Sequence, residues 1–268
     1  MTVLVTGGAG YIGSHTVREL IDAGKKVVVV DNLSRGHRQS VAGVKFVFGD
    51  IHEQDFLSSV IRKYDISSII HFAADSQVGE SMMNPSKYYN NNVVGSIKLL
   101  DGMVECGVKN IVFSSSAAVY GEADEIPIIE SATLKPTSVY GKTKLMIENT
   151  IQDYCVSYGL NYMILRYFNA AGAHEIGDIG EDHSPETHLI PIVLQAALGQ
   201  RDKVNIYGDD YNTKDGTCIR DYIHVADLAK AHLLALDALE KGSESSIYNL
   251  GSSNGFSVYQ IIAEVEKV

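Results

Sequence analysis

The chain has 268 residues, 45% of them hydrophobic, which is enough to bury the core of one large domain or of a domain with an appended lobe. Its formal net charge is -11 at pH 7 and its Lys and Arg residues form no run, so we expect neither a nucleic acid nor an anionic membrane surface as a partner. No apolar run reaches the roughly 18 to 20 residues that a membrane-spanning helix needs.

Short runs rich in β-branched residues alternate with helical patterns in the first part of the chain. Strands that are apolar on both faces and separated by helices predict a parallel sheet covered on both sides. We therefore predict an α/β fold, with a doubly wound Rossmann-type domain over residues 1–171. The strand candidates are "TVLVTG", "KKVVVVDN", "KFVFGDI", "SSIIHFAA", "NIVFSSS" and "YMILRYFN".

The glycine-rich segment "VLVTGGAGYIG" lies between the first strand and a helix that starts near Tyr11. Glycines in this context let a dinucleotide diphosphate approach the backbone and the N-terminus of the helix. The segment therefore predicts a dinucleotide cofactor, and a Gly-rich turn without a ligand is the alternative. The glycines are Gly7, Gly8, Gly10 and Gly13.

The second strand ends in "VVVVDN", which places Asp31 where a carboxylate accepts hydrogen bonds from the adenosine ribose. A 2′-phosphate would meet like charge there, so NAD is predicted rather than NADP, although Arg35 and Arg38 could compensate. Past the third strand, Asp50 and Ile51 of "FGDI" either flank the adenine or are a strand-end Asp and a core Ile.

The segment "SVYGKTKLMIENTIQDY", residues 138–154, predicts a helix with Tyr140 and Lys144 on one face, one turn apart. The strand "NIVFSSS" ends near Ser116, at the sheet edge where a cofactor cleft would open. The ammonium and the positive nicotinamide of a bound cofactor would together favour the phenolate and lower the pKa of a phenol that is ordinarily about 10. The pattern predicts a Ser, Tyr and Lys catalytic group, whereas the helix alone would equally suit ordinary half-exposed residues.

After Ala171, "GAHEIGDIGEDHSPETH" predicts a long surface loop, a feature that in compact domains is usually functional or disordered. Residues 172–268 are predicted as a smaller, discontinuous substrate lobe. In it, "LIPIVLQAALGQ" predicts a helix over 189–200, "KVNIYG" a strand, and "HVADLAKAHLLALDAL" a helix over 224–239 that packs back on the first domain.

The last segment, "SVYQIIAEVEKV", opens with Ser257 and Gln260 at capping-box spacing and places an apolar stripe behind them. The helical pattern runs to Val268 without a Gly or Pro stop signal. We interpret this pattern as a chain that ends before its natural end.

Three of these motifs, "TGGAGYIG", "SSSAAVYG" and "YGKTK", together resemble the extended short-chain dehydrogenase/reductase family. The segments "HFAADSQVGES", "YYNNNVVGS", "RYFNAAGAH", "GEDH", "THLIP" and "DGTCIRDYIHVADLA" resemble, in order, the motifs of its UDP-hexose 4-epimerases over essentially the whole chain. The resemblance implies an NAD-dependent isomerase that reversibly interconverts UDP-galactose and UDP-glucose through a 4-keto intermediate. Hydride would pass to bound NAD and return to the other face of the sugar.

The resemblance also assigns roles to individual residues. Tyr140 would take the proton of the sugar 4-hydroxyl, Ser116 would hydrogen-bond the same oxygen, and Lys144 would also hold the nicotinamide ribose. Asn169 and Arg220 would hold the substrate diphosphate. The implied cofactor-binding residues are Gly7, Gly10, Tyr11, Ile12, Gly13, Asp31, Asn32, Asp50, Ile51, Phe72, Ala73, Ala74, Asn92, Ser114, Tyr140, Lys144 and Tyr167. The implied substrate-binding residues are Ser116, Tyr140, Asn169, His188, Leu189, Tyr207, Arg220 and Tyr222.

Three departures from the family pattern are visible. Ser76 stands where some relatives carry a Lys that reaches the cofactor phosphate, and His188 stands where other epimerases often have Asn. Family members also continue past Val268, with an Arg and an Asp that bind the UDP moiety. The first two departures leave the implied reaction class unchanged.

Two other functions fit parts of the pattern. A sugar-nucleotide 4,6-dehydratase or decarboxylase would share the fold, the cofactor and the Tyr/Lys pair, but related dehydratases place Asp-Glu after the catalytic Ser or Thr. Ala117 and Ala118 occupy those positions here, and methyl groups cannot transfer protons. A non-catalytic NAD-binding subunit is the second alternative, against which the intact Ser116, Tyr140 and Lys144 argue.

The remaining expectations concern metals, assembly and location. No histidine pair has the spacing of a known metal site, so we expect no metal and interpret "GEDHSPETH" as a polar substrate loop. Cys106, Cys155 and Cys218 are widely spaced and fit small residues in a reduced compartment. "MTVLVTGGAG" leaves no room for a signal peptide, so a cytoplasmic location is expected. The resemblance implies a homodimer through the Tyr140 helix and the segment "NPSKYYNNNVVGSIKLLDGMVECG".

Overall fold

The computed structural model describes residues 1–267 and contains a central seven-stranded parallel sheet. All six strands predicted in the first domain are confirmed, and a seventh comes from the range assigned to the second lobe. In spatial order the strands are β3 (Lys45–Phe48), β2 (Lys26–Asp31), β1 (Thr2–Thr6), β4 (Ile66–His71), β5 (Asn110–Ser114), β6 (Asn161–Tyr167) and β9 (Ser246–Leu250).

Both faces of this sheet are apolar, because successive side chains of a strand point to opposite sides. In β1, Leu4 belongs to one buried cluster, whereas Val3 and Val5 belong to the other. The first cluster is covered by α2 (Gln54–Lys63), α5 (Gly95–Cys106) and α6 (Val139–Tyr158), and the second by α1 (Tyr11–Asp22) and α8 (Val225–Glu240).

Two short helices, α3 (Val78–Met83) and α4 (Pro85–Tyr88), precede α5, and a π-helical stretch at Tyr89–Val94 joins α4 to α5. The predicted helix at 138–154 is present as α6, and its N-cap is Ser138, whose hydroxyl accepts a hydrogen bond from the amide of Gly141 at 3.0 Å. This cap places Tyr140 and Lys144 in the first turns of α6.

A second, three-stranded sheet contains β7 (Asn169–Ala171), β8 (Ile219–His224) and β10 (Gly255–Ser257). Strand β8 runs parallel to β7 and antiparallel to β10. Two helices, α7 (Leu189–Ala197) and α9 (Val258–Val265), pack against each other beside this sheet. The capping box of Ser257 and Gln260 is confirmed. The division of the chain into two lobes at residue 171 stays a prediction.

The predicted strand "KVNIYG" is wrong, because residues 203–208 have no strand partner and form an irregular segment. Their alternation of apolar residues suits a strand only where a neighbouring strand can pair with it, and Tyr207 is 84% exposed. Strands β8, β9 and β10 were not predicted. The helix predicted over 189–200 is present but ends at Ala197. No helix within residues 1–267 combines the length and the apolar character needed to cross a membrane.

The strand order reverses between β1 and β4, so the loops that follow these two strands diverge and open a cleft at the carboxyl edge of the sheet. The cleft has a volume of about 1250 Å³, and residues from β7, β8 and the loop before α7 form part of its wall. The fold thus brings residues from both sheets to one site.

Candidate active site

The glycine-rich loop forms the floor of the cleft between β1 and α1. Gly7 has φ +70°, and a Cβ atom there would lie 2.6 Å from the amide nitrogen of Ala73. A Cβ atom on Gly13 would lie 2.3 Å from the carbonyl oxygen of Gly7. Only glycine fits at either position, and the N-terminus of α1 lines the cleft at Gly10, Tyr11 and Ile12.

Asp31, at the end of β2, is buried and braced by the backbone. Its Oδ2 accepts a hydrogen bond from the amide of Ala9 at 2.9 Å, and its Oδ1 accepts one from the amide of Leu33 at 2.8 Å. Burial raises the pKa of the Asp31 carboxyl, and these two amide donors act against the rise. The carboxylate lines the cleft at the position that the sequence predicted for a ribose contact.

The two arginines that could have favoured NADP are engaged elsewhere. Arg35 lines the cleft but donates to the carbonyl oxygen of Ser184 at 2.7 Å. Arg38 donates to the carbonyl oxygen of Val41, and its guanidinium lies 4.7 Å from the centroid of the Phe46 ring. These contacts agree with the predicted preference for NAD.

Of the two residues predicted to flank the adenine, Ile51 lines the cleft and Asp50 does not. Ile51 and Asn32 line the cleft, whereas Asp50 lies behind Asn32 and accepts a hydrogen bond from its amide group at 2.9 Å. Partial burial would raise the pKa of Asp50, but hydrogen bonds from the backbone of His52 and from the side chains of Asn32 and His52 lower it overall. Asp50 therefore orients Asn32 and His52.

Ser116, Tyr140 and Lys144 are all buried and all line the cleft. Ser116 follows the end of β5, and the backbone amide of Tyr140 donates to the Ser81 hydroxyl at 3.1 Å. Lys144 donates to the carbonyl oxygen of Ser114 at 2.8 Å, and its Nζ lies 5.8 Å from the centroid of the Tyr140 ring. The structure thus brings together the three side chains predicted to be catalytic.

Burial shifts the pKa values of Tyr140 and Lys144 in opposite directions. Burial raises the pKa of the Tyr140 phenol above its ordinary value of 10.0, and the Ser116 hydroxyl only partly offsets that rise. Burial lowers the pKa of Lys144 to about 7, against the attraction of Glu148. The same burial disfavours both the phenolate and the ammonium, and the lowering of the Tyr140 pKa by Lys144 together with a positive nicotinamide stays a prediction.

A buried ionic network that was not predicted from the sequence lies behind Lys144. Glu148 accepts hydrogen bonds from Arg166 at 2.6 Å and from the Ser115 hydroxyl at 2.5 Å. Arg166 also donates to the Tyr120 hydroxyl at 2.8 Å, which in turn donates to Asn249. The feature of the sequence that could have indicated this network is the Glu one turn after Lys144 in α6. The network joins α6 to β6 and β9.

Besides Asp50, two more residues predicted to bind the cofactor do not line the cleft but support residues that do. The side-chain oxygen of Asn92 accepts a hydrogen bond from the backbone amide of Asp75, and its side-chain nitrogen donates one to the Thr143 hydroxyl at 3.1 Å. The Ser114 hydroxyl lies 2.8 Å from the hydroxyl of Tyr167, which lines the cleft. Both residues order the wall of the site. Other predicted cofactor residues on the wall are Phe72, Ala73 and Ala74.

The predicted substrate residues are also divided. Asn169, Arg220 and His188 line the cleft, and Asn169 donates to the carbonyl oxygen of Asp221 at 2.8 Å, which joins β7 to β8. The residues not found on its wall are Tyr207, Leu189 and Tyr222. Burial raises the pKa of Tyr222.

Several residues on the cleft wall were not predicted. Asp221 lies in the "IRDY" motif, which was used only for Arg220, and its carboxylate accepts hydrogen bonds from the backbone amides of Ser252 and Ser253. The other unpredicted residues include Asp75, Gln77, Glu181, His183, Thr187 and Asn249. Most of them lie in loops, where no periodic pattern indicates which side chains face inward.

Comparison with known proteins gives consistent matches along the chain. Residues 3–251 match the model of the NAD dependent epimerase/dehydratase family. The UDP-glucose 4-epimerase of Halalkalibacterium halodurans is 56% identical over 268 residues, which are 100% of this chain and 80% of that protein.

Solved structures agree with this match. The crystal structure of UDP-glucose 4-epimerase from Brucella ovis in complex with NAD has a TM-score of 0.98 at 49% identity, covering 100% of this chain and 82% of that one. The structure of UDP-glucose 4-epimerase from Bifidobacterium longum in complex with NAD+ and UDP has a TM-score of 0.93 at 40% identity, covering 100% and 83%.

Proposed function

Because the chain belongs to the NAD dependent epimerase/dehydratase family, we propose that it reversibly interconverts UDP-galactose and UDP-glucose by 4-epimerisation. One observation carries the proposal: Ser116, Tyr140 and Lys144 converge in the cleft that the glycine-rich loop also lines. Relatives that match the whole chain at 46% to 56% identity are UDP-glucose 4-epimerases.

NAD fits the residues of the cleft as the resident cofactor. The positions of Gly7 and Gly13 have no room for a side chain, and the N-terminus of α1 offers backbone amides to a diphosphate. Asp31 would hold the adenosine ribose and Lys144 the nicotinamide ribose. When bound, NAD supplies a hydride acceptor for the sugar C4 and returns the same hydride.

The side chains of the chain itself handle the proton of the reaction. Tyr140 takes the proton from the sugar 4-hydroxyl and returns it after the 4-keto sugar has turned, while Ser116 hydrogen-bonds the reacting oxygen. Burial raises the pKa of Tyr140, and the positive charge of a bound oxidised nicotinamide would favour its phenolate. Proton removal would therefore be easier when the cofactor is bound.

The second half of the cleft suits a nucleoside diphosphate sugar. Arg220 and Asn169 lie on its wall, where a guanidinium and an amide can bind a diphosphate. The cleft volume of about 1250 Å³ exceeds the roughly 300–1,000 Å³ of a typical site for one small ligand. The cleft therefore has room for both a dinucleotide and a UDP-hexose.

A 4,6-dehydratase or a decarboxylase is the main alternative within this fold. Elimination of water needs an additional acid and base near the sugar, but Ala117 and Ala118 occupy the positions after Ser116 and both line the cleft. Their methyl groups favour epimerisation. A non-catalytic NAD-binding subunit would have no need for the buried Tyr140 and Lys144.

The first test is incubation of the 268-residue chain with UDP-galactose in D2O, followed by NMR of the sugar. The expected product is UDP-glucose that retains its C4 proton, because hydride returns within the site. A 4-keto-6-deoxy product would indicate a dehydratase. Tight NAD binding without turnover of UDP-galactose or UDP-glucose would support a non-catalytic subunit.

We also propose that the chain forms a cytoplasmic homodimer through α5 and α6. Exposed apolar side chains on or beside these helices, Val94, Met146 and Val156, support such an interface. Cys106, Cys155 and Cys218 are free thiols, which suits a reducing compartment. Light scattering should give twice the monomer mass, and Met146→Glu should shift the protein toward the monomer.

A further inference from the structure

Four potential metal ligands meet in the loop that leads into α7. Glu181, His183, Glu186 and His188 each offer one ligand atom, and these atoms all lie within 4.8 Å of one another. The sequence analysis expected no metal, because the spacing of these residues matches no known motif. The four side chains meet because the loop folds back on itself. Their spacing along the sequence does not indicate the cluster.

Several distances within the cluster are close to those between the ligands of one ion. Nδ1 of His183 lies 3.3 Å from Oε1 of Glu181 and 3.8 Å from Oε2 of Glu186. Nδ1 of His188 lies 2.7 Å from Oε1 of Glu181 and 3.3 Å from Oε1 of Glu186. Four ligands around one zinc ion would be about 3.3–3.6 Å apart, since Zn–N and Zn–O bonds are about 2.0–2.2 Å long. For all four side chains to contact one ion, His188 and Glu181, now 2.7 Å apart, would have to separate, and His183 and Glu186, now 3.8 Å apart, would have to approach.

The hydrogen bonding of the loop leaves these atoms suited to an ion. Nδ1 of His183 is buried and has no hydrogen-bond partner, although it faces two carboxylates. Glu186 is held in place because its Oε1 accepts hydrogen bonds from the backbone amides of Thr187 and His188. A buried nitrogen without a partner costs free energy, and a cation between it and the carboxylates would remove that cost.

Charge and donor type indicate which ion would bind. Two carboxylates and two neutral imidazoles carry a net charge of -2, which one divalent cation balances. Imidazole nitrogens suit Zn²⁺ and neighbouring transition ions, whereas Mg²⁺ and Ca²⁺ prefer oxygen-only sites. We propose that Glu181, His183, Glu186 and His188 bind one Zn²⁺ ion, which fixes the loop on the wall of the cleft.

This ion would fix part of the cleft without occupying the site of the catalytic side chains. His183 packs edge-on against Tyr11, whose hydroxyl donates to the carbonyl oxygen of Gly172 at 2.6 Å. His188 turns Nδ1 toward the cluster, so Nε2 stays available for another partner. The role of the ion is therefore structural, and its four protein ligands leave no open position for a reacting group.

The test is Zn²⁺ binding to the full chain after treatment with a chelator, measured by competition with a chromophoric chelator. We expect one Zn²⁺ per chain in the wild type. His183→Gln and Glu181→Gln each remove one ligand and should weaken binding by at least about 100-fold, since even residues behind a ligand are worth 10- to 100-fold. Co²⁺ in the same site should give the intense visible bands of a tetrahedral complex.

The matched control is His174→Gln, which lies in the same loop and removes a histidine that pairs with Asp178 at 3.4 Å outside the cluster. It should bind Zn²⁺ like the wild type. Thermal unfolding of the metal-free variants tests their folding, and Zn²⁺ should raise the melting temperature of the wild type and of His174→Gln only. A wild type that binds no Zn²⁺, or binding that His183→Gln leaves unchanged, would overturn the proposal and leave a network of ion pairs. None of these readouts depends on epimerase activity.

Discussion

The Tyr140 phenol is buried beside Ser116, and its raised pKa keeps it neutral in the ligand-free protein. Tyr140→Phe removes the proton acceptor and leaves the aromatic ring in place. Turnover of UDP-galactose should fall by about 10²- to 10⁴-fold, the usual contribution of a positioned general base. NAD affinity, measured by titration, should stay close to that of the wild type.

The matched control for this change is Tyr154→Phe, which removes a phenolic hydroxyl from the same helix. Tyr154 donates to Asp101 at 2.5 Å and does not line the cleft. Its turnover should equal that of the wild type. If Tyr140→Phe kept full activity, Tyr140 could not be the base.

Lys144 makes the stability of the cofactor-free chain depend on pH. Its pKa is lowered from 10.5 to about 7 in the folded protein, so between pH 7 and pH 10 the unfolded chain binds more protons than the folded chain. Stability contributed by this residue therefore rises with pH across that window. Lys144→Met keeps the buried apolar stem and removes the titration.

The measurement is the urea midpoint of wild type and Lys144→Met from pH 7 to pH 9, where Tyr140 does not titrate. The midpoint of the wild type should rise relative to that of the variant as the pH increases, because the other titrating groups are shared by both proteins. Parallel curves for the two proteins would show that Lys144 keeps an ordinary pKa when it is buried.

At the scale of elements, α6 is held in place by the ion pair between Glu148 and Arg166 of β6, whose side chains are 0% and 2% exposed. Removing one partner leaves a buried charge uncompensated, so Glu148→Gln should lower the free energy of unfolding by about 3–5 kcal/mol. The double variant Glu148→Leu/Arg166→Met should recover most of this loss, because it leaves neither charge buried. Urea unfolding of the NAD-free proteins measures both effects.

The comparison for this pair is Arg62→Gln, which breaks the exposed ion pair of Arg62 with Glu105. It should change the urea midpoint little, because solvent screens exposed pairs. If Glu148→Gln were equally mild, water would have to reach the pair, and α6 would be held mainly by its apolar face.

Elements with a strong local pattern were predictable from the sequence. Strands β1 to β6 are apolar on both faces, and the caps Ser138 and Ser257 stand at their expected positions. The strand at 203–208 was wrong and β9 was missed, because pairing depends on which sheet edge is available and not on the segment itself. The joining of Glu148 to Arg166 likewise depends on tertiary contacts between α6 and β6.

At the scale of the whole molecule, the cleft is assembled from residues far apart in the chain, and the loop at 172–188 joins its two sides. Arg18 pairs with Asp178 at 2.6 Å, and Arg35 donates to the carbonyl oxygen of Ser184 at 2.7 Å. Together with the hydrogen bond from Tyr11 to Gly172, these contacts attach the loop to α1 and to the segment after β2. The sequence motifs predicted the individual parts of the cleft. The loop has no periodic pattern, so the sequence did not indicate that it contacts α1 and the segment after β2.

These contacts should slow the release of bound NAD. Tyr11→Phe removes one hydrogen bond between the start of α1 and the loop. The net free energy of such a hydrogen bond is about 0.5–1.5 kcal/mol, which corresponds to an NAD dissociation rate about 2- to 10-fold faster. Arg18 does not line the cleft, so a smaller effect of Arg18→Gln in the same direction would come from the loop alone. Lys25→Gln breaks the ion pairs of Lys25, which follows the C-terminal end of α1, with Asp237 and Glu240 of α8 and should leave the rate unchanged. Stopped-flow measurement of NAD release tests all three, and equal rates for Arg18→Gln and the wild type would show that the loop does not retain the cofactor.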